Sequence, residues 1–335
     1  MSTPPVLRLS KGPEYARIVG VGGYRPSRVV PNEEIAPRID SSDEWIRERS
    51  GIAERRWAAP QESVALMGAA AAEKALAHAG VTADQVGCVL VATSTHFRQL
   101  PALAADTAHR IGARQAAAFD LSAACAGFTH ALAVAHDLVR GGSAGHVLVV
   151  ATERMSDLID HDDRGTAFLF GDGAGAVVVG PSETPAIGPV VWGSDGSQGH
   201  AIDQTASWQE LRHGTPRFPA LTMQGQAVFR WAVYEMAHAA RRALEEAGVD
   251  AADLEAFVPH QANLRIVEAL AATLRLPGSV AVARDIVHTG NTSAASIPLA
   301  IEHMLASGAV RSGALALTIG FGAGLSYAAQ VVTLP

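Results

Sequence analysis

The sequence predicts an α/β protein made of two duplicated β/α halves that form one unit, and three observations carry that reading. Residues 74–92 read KALAHAGVTADQVGCVLVA, and residues 242–260, 168 positions later, read RALEEAGVDAADLEAFVPH. Each copy is a helix closed by a glycine (Gly80, Gly248), then a short turn, then an apolar strand. A second pair, GDGAGAVVV at 171–179 and GFGAGLSYAAQVV at 320–332, places Gly-rich segments before alternating strands. Each follows another strand candidate, HVLVVATE and ALALTIG. Further elements fill the intervals: a helix over 126–140 and a strand over 146–152, then helices over 264–275 and 294–306 and a strand over 313–319. Alternating strands and helices predict parallel sheets covered by helices. The duplication predicts two such sheets packed through shared central helices.

The elements divide the chain into a flexible tail (1–14), a first half (15–180), a Gly/Pro-containing connecting segment (181–220) and a second half (221–335). A composition that is 48% hydrophobic but 5% aromatic and 18% charged suits a large core of Ala, Val, Leu and Gly, and excludes a disordered chain. A net charge of -7 without any Lys/Arg run speaks against a general nucleic-acid binder. Only Lys11 and Lys74 among the 26 basic residues are lysines, a bias attributed to GC-rich coding. No apolar run approaches the roughly 18 residues of a membrane span. The N-terminal MSTPPVLRLSKGPEY has no hydrophobic signal core. Two cysteines, Cys88 and Cys125, in such a chain point to a reducing, cytoplasmic setting with no disulfide framework.

The first chemical signal is AAFDLSAACAGFTHALAVAHDLVRGG. Cys125 falls between a strand end and an amphipathic helix, where unsatisfied N–H groups and the helix dipole are expected to hold its sulfur as a thiolate. Ala123, Ala124, Ala126 and Gly127 leave room for a substrate. A free cysteine is more often a small buried hydrophobe, and Cys88, inside the strand GCVLVA, fits that description. VPHQANLRI puts His260 at another strand end, and HTGNTSAASIPLA puts Asn291 just before another helix. A lone His is more often a satisfied polar residue, and an Asn in a turn more often a cap. All three nevertheless fall at strand-to-helix loops, which cluster at the C-terminal edge of α/β sheets where ligands bind. A soft nucleophile with two hydrogen-bond donors is what a reaction through an enolate requires.

Other patterns fail on context. GGSAG at 141–145 has the helix before it and the strand after it, the reverse of a nucleophile elbow. GVGGYRP at 20–26 lacks the third glycine of a dinucleotide loop. Asn291-Thr-Ser matches a glycosylation sequon by pattern only, and His161-Asp162-Asp163 reads as a solvated loop, so no metal site is expected.

SSDEWIRERSGI, AACAGF, DRGTAFLFGDGAG, VPHQANLRI, GNTSAAS and GFGAGLSYA, in that order, closely resemble the β-ketoacyl-acyl-carrier-protein synthase III family over residues 15–335. The resemblance implies a thiolase-like fold of five layers, αβαβα, and a homodimer. It implies that Cys125 takes an acyl group from acyl-CoA, with no tightly bound cofactor. Malonyl-acyl carrier protein then decarboxylates while His260 and Asn291 hydrogen-bond its thioester carbonyl, and the enolate attacks the Cys125 thioester. The oxyanion hole is implied to be the backbone N–H groups of Cys125 and Ala323. Ser41, Trp45, Arg49, Arg164 and Asn263 match the CoA-binding pattern, with Trp45 and Arg164 holding the adenine. Arg265 matches a carrier-protein docking residue, and Leu100 the position where a partner-subunit side chain closes the acyl pocket. This chain has Ala323 where the family often has Gly, and Thr289 separates His288 from the Gly-Asn pair, a variant associated with actinobacterial members. Mid-sized Leu100 leaves the primer open. A stand-alone relative in specialised metabolism, priming a polyketide or acylating an alcohol or amine, is the alternative. A degradative thiolase requires a second cysteine that GFGAGL lacks, and an elongating enzyme a second His in place of Asn291.

Overall fold

The computed structural model describes residues 7–214 and 217–335. Ten strands form two five-stranded sheets. The first sheet holds β1 (Tyr15–Tyr24), β2 (Val86–Ala92), β3 (Ala117–Leu121), β4 (His146–Arg154) and β5 (Asp172–Ser182) in the order β1-β5-β4-β2-β3. The second holds β6 (Val191–Ser194), β7 (Ala256–Pro259), β8 (Ala281–Val282), β9 (Leu315–Gly322) and β10 (Ser326–Thr333) in the order β6-β10-β9-β7-β8. The two orders are the same pattern displaced by five strands, so the duplication seen in the sequence is a duplication of topology.

The sheets are mixed where the alternation of elements reads as parallel. β2, β3 and β4 run parallel, as do β7, β8 and β9. β5 runs antiparallel to both β4 and β1, and β10 antiparallel to both β9 and β6. The physical reason is visible in the second half: β9 and β10 are joined by the short link Ala323–Leu325, and a short link can return a strand only antiparallel. The Gly-rich pair therefore does not serve one purpose. GDGAG lies at the start of β5, whereas GFG ends β9. The segment 181–220 is more than a connector, because it supplies β6, the counterpart of β1. Of the predicted tail 1–14, residues 1–6 lie outside the described residues; farther along, the Ser10 hydroxyl donates to the Gly141 carbonyl at 2.7 Å.

Six principal helices cover the sheets: α1 (Val64–Ala79), α2 (Leu103–Ile111), α3 (Gly127–Arg140), α4 (Gly225–Ala247), α5 (Leu264–Leu274) and α6 (Ser296–Ala306). α1 and α4 both end at left-handed glycines, Gly80 and Gly248, as the repeat requires. Alternate residues of each strand face opposite layers. Val89 and Val91 of β2 pack under α1 and α2, while Cys88, Leu90 and Ala92 face α3 and α6. In the second sheet Ala256 and Val258 face the same inner helices, and Phe257 packs under α4 and α5. The layers are thus α1/α2, sheet, α3/α6, sheet, α4/α5, a thiolase-like fold. Cys88 is a buried core residue. Among the described residues no helix is long and apolar enough to cross a membrane.

The inner layer is thin because small residues line it. A Cβ added to Gly175 of β5 would lie 2.7 Å from the Pro298 ring and 2.9 Å from the Leu299 nitrogen on α6. Gly175→Ala is expected to cost about 1–3 kcal/mol through overpacking, read as a lower thermal midpoint. An unchanged midpoint would show that the layers can part there.

Candidate active site

Cys125 lies in the 3-10 turn Ala124–Ala126, which joins β3 to α3. Ala124 takes a left-handed φ of 45°, a conformation that costs a non-glycine residue about 1–3 kcal/mol and survives only where its surroundings impose it. Gly322, at the end of β9, lets the second sheet reach this turn: a Cβ there would stand 2.8 Å from Cys125 Cβ and 3.0 Å from its nitrogen.

The electrostatics differ from the sequence expectation of a thiolate. Cys125 is half-buried and lines a cavity, and burial pushes its thiol up to about 11. The Ser293 hydroxyl and the backbone N–H of Cys125 pull the other way, and the Glu153 carboxylate pushes further up. Desolvation outweighs the helix-mouth donors, so the resting form is the thiol.

His260 follows β7 and is 2% exposed, with its backbone N–H donating to the Ile319 carbonyl at 2.8 Å. Its Nδ1 lies 2.7 Å from Ser296 Oγ, which also accepts the Gln261 N–H at 3.3 Å. Ser296 has one proton to give, and where it donates that proton to Nδ1 the remaining ring hydrogen sits on Nε2. Burial lowers the imidazole to about 3, so His260 is a neutral donor across the physiological range. The Phe321 ring meets it edge-on at 5.3 Å.

Asn291 is held by its backbone: its N–H donates to the Leu169 carbonyl at 2.8 Å, and its carbonyl accepts the Gly171 N–H at 3.0 Å. Its Oδ1 accepts the Ser293 N–H at 2.8 Å, which orients the amide. Nδ2 is then the free end, with one long contact of 3.4 Å to the Ala262 carbonyl.

Cys125, His260 and Asn291 line one cavity of about 590 Å³. Trp45, Arg49, Arg164, Asn263 and Arg265 line it as well. The Arg49 and Arg164 guanidinium carbons stand 5.4 and 4.9 Å from the Trp45 ring centre, within the range of a cation–π contact. Asn263 caps α5 through its Oδ1 and donates from Nδ2 to the Arg49 carbonyl at 3.1 Å, tying this helix to Asp43–Ser50. Three residues singled out in the sequence stand outside the lining. Ser41 has a buried hydroxyl without a protein partner, Leu100 is 80% exposed, and Ala323 yields its place in the wall to Gly322. Sequence reasoning named neither Ser293 nor Ser296, although both lie inside GNTSAAS, and it missed Phe321 and Glu153. Glu153 closes the strand HVLVVATE at the same sheet edge as the nucleophile, which was the available signal.

Two duplicated halves, one bringing a thiol and the other a buried imidazole and a carboxamide to one cavity, define a thiolase-fold, acyl-transferring condensing enzyme. Residues 119–196 match the family model described as 3-oxoacyl-[acyl-carrier-protein (ACP)] synthase III, and residues 244–334 match that of its C-terminal part. The chain is 61% identical to β-ketoacyl-[acyl-carrier-protein] synthase III of Streptomyces glaucescens, over 98% of this chain and 99% of the relative. It is 53% identical to the mycobacterial β-ketoacyl-[acyl-carrier-protein] synthase III of Mycobacterium avium, over 98% of each. Among solved structures, the priming β-ketosynthase of the R1128 polyketide biosynthetic pathway superposes with a TM-score of 0.96 at 53% identity, covering 99% of both chains. The synthase III of Thermus thermophilus gives 0.89 at 42% identity, covering 95% of this chain and 99% of the other. The chain belongs to the β-ketoacyl-acyl-carrier-protein synthase III family.

The raised thiol sets a measurable pH dependence. A group with pKa near 11 is protonated at neutral pH and gains thiolate as pH rises. Iodoacetamide labelling of Cys125 is therefore expected to be still climbing well above neutrality, with buried Cys88 unlabelled in the native protein. A labelling rate already level at neutral pH would restore the thiolate.

Proposed function

We propose that this enzyme condenses an acyl-CoA primer with malonyl-acyl carrier protein to give a 3-oxoacyl-acyl carrier protein, initiating fatty acid synthesis in the cytoplasm. The convergence of Cys125, His260 and Asn291 on one cavity carries the reading. In the first half-reaction Cys125 Sγ attacks the acyl-CoA carbonyl, the backbone N–H groups of Cys125 and Ala323 receive the oxyanion, and the CoA thiolate leaves. In the second, malonyl-acyl carrier protein loses CO2 and the electron pair of the broken C–C bond becomes an enolate. Its oxygen is held by His260 Nε2–H and Asn291 Nδ2–H, and its carbon attacks the Cys125 thioester, expelling the sulfur. Neutral donors suit this task, because they stabilise developing charge without giving up a proton to the enolate; each is worth on the order of 10²–10³ in rate.

The Trp45–Arg164 pair offers a flat cationic clamp for the CoA adenine, with Arg49 and Asn263 beside it, and Ser41 is assigned to the same site by its motif. Exposed Arg265 at the mouth gives an acidic carrier a counter-charge on a chain of net charge -7. No tightly bound cofactor is required, since acyl-CoA is the substrate. The enzyme acts as a homodimer in this reading: β3 is the edge of its sheet and leaves Phe119 43% exposed, and Leu100 is more exposed still. Such an edge favours pairing with another strand, and a second copy would bring Leu100 against its partner's acyl pocket.

The similarity to the R1128 priming ketosynthase favours a second reading, in which the same condensation primes a polyketide, or acyl transfer to an alcohol or amine replaces it. Mass spectrometry after incubation with a panel of acyl-CoAs is expected to give one acyl adduct on Cys125 and none on Cys125→Ser. An undiminished adduct on the variant would end the scheme. CO2 release from malonyl-acyl carrier protein separates condensation from simple transfer. Asn291→Ala should retain acylation while losing decarboxylation by about 10²-fold or more; equal loss of both would refute the division of roles.

A further inference from the structure

Glu153, the penultimate residue of β4, is fully buried, its charge raises the Cys125 thiol, and no step above uses it. It is an acceptor surrounded by donors. The Thr95 hydroxyl reaches Oε2 at 2.6 Å, the Ser94 N–H at 3.0 Å and the Thr93 hydroxyl at 3.2 Å. The Ser293 hydroxyl reaches Oε1 at 3.0 Å. The turn that carries Ser293 packs against the turn that carries Cys125, and the Ser293 hydroxyl lowers the thiol while it donates to the carboxylate, so it is the group placed to pass a proton between the two.

We propose that Glu153 is the proton store of Cys125, taking the thiol proton through the Ser293 hydroxyl as the acyl thioester forms and returning it when the product leaves. The inference rests on Cys125 being the acylated nucleophile.

The atoms balance over both half-reactions. As Sγ bonds to the acyl carbon, its proton passes to Ser293 Oγ and the proton of Ser293 passes to Glu153 Oε1. The C–S bond to CoA breaks and CoA leaves as thiolate, taking a proton from water. In the second half-reaction the malonyl carboxylate departs as CO2, the new C–C bond forms, and Cys125 Sγ leaves with the electron pair. Glu153 then returns its proton through Ser293 and restores the thiol. The buried pair carries one negative charge as thiol with carboxylate and none as thioester with carboxylic acid, the charge having left with CoA, whereas an unassisted thiolate would put a second charge beside the first.

His260 does not compete for this proton. Its Nδ1 is engaged by Ser296, and its Nε2 carries the hydrogen it needs as a donor. The groups facing Glu153 are the hydroxyls of Thr93 and Thr95 after β2, Ser293 before α6, Gly173 on β5 and the Cys125 thiol before α3. Among these, the thiol is the titratable one. Burial raises the Glu153 carboxyl to about 7 against four donors that lower it, so it can change protonation state during turnover at neutral pH.

The test is the single-turnover rate of Cys125 acylation, by quenched mass spectrometry with the fastest of acetyl-, isobutyryl- and octanoyl-CoA, as a function of pH. Acylation needs the ionised carboxylate, so the wild-type rate should rise as pH passes through the Glu153 value and fall below it. Glu153→Gln should slow acylation at neutral pH by about 10²-fold, the scale of positioned proton transfer. It should also erase that limb, leaving only a rise toward the thiol's own ionisation. Ser293→Ala should erase the limb too, and Glu153→Asp should keep it at a displaced position. A wild-type rate and limb in Glu153→Gln, or a uniform slowing with the limb intact, overturns the proposal. If Glu153→Gln does not fold, a limb retained in Ser293→Ala overturns it equally. Wild-type protein that is never acylated on Cys125 removes the proposed function together with this inference, whereas normal wild-type acylation with unchanged variants removes this inference alone.

Discussion

The structure depends on how closely its two inner helices and two sheets approach one another. The start of α3 sits so near the first sheet that a Cβ on Gly127 would lie 2.9 Å from Ala92 Cβ and 3.6 Å from Ala294 Cβ, on the turn that leads into α6. Alanine and glycine occupy the closest approaches of this layer, between larger residues such as Phe128 and Leu299, and a larger side chain at those approaches would separate the halves. The separation matters because the proposed nucleophile comes from one half and both proposed enolate donors from the other. A shift of about 1 Å between them would be costly to catalysis.

Much of this was legible in the chain. The 168-residue repeat marks one outer helix and the strand that follows it in each half, α1 with β2 and α4 with β7, because a glycine after α1 and after α4 is a backbone necessity, not a surface preference. Cys125 and His260 stand out as chemically reactive types at strand-to-helix loops, whereas Asn291, expected at such a loop, instead follows the short helix Ile286–Thr289. The antiparallel strands and β6 were hidden, since Val191–Ser194 is short and half exposed and carries almost no periodic signal. Register also escapes sequence reading: the Gly-rich pair looks equivalent, yet only one copy forms a tight turn.

The charge state of Cys125 escaped for a different reason. A helix mouth favours an anion when water or a cation shares the load, and in the sequence only the helix mouth is visible. In the fold the sulfur is enclosed by Gly322, Ser293 and the carboxylate of Glu153, and desolvation wins. The same enclosure neutralises His260 and lifts Glu153, so one physical cause sets all three groups. Ser293 and Ser296 could be recognised only as motif letters, because their importance lies in which hydroxyl proton goes where.

The trio of a thiol, a neutral imidazole and a carboxamide carries no formal positive charge of its own to balance a carbanion. Its chemistry therefore has to keep negative charge from accumulating. The malonyl carboxylate brings one charge, which moves to the enolate and then to the departing sulfur. At that moment a fully ionised Glu153 beside the sulfur would oppose product release, and a protonated one would assist it. Burial that raises both the acid and the thiol is consistent with this order, because each is easiest to ionise when the other is neutral. The enclosure that makes Cys125 a poor thiolate at rest is thus also what makes its sulfur ready to accept a proton when the new carbon–carbon bond expels it.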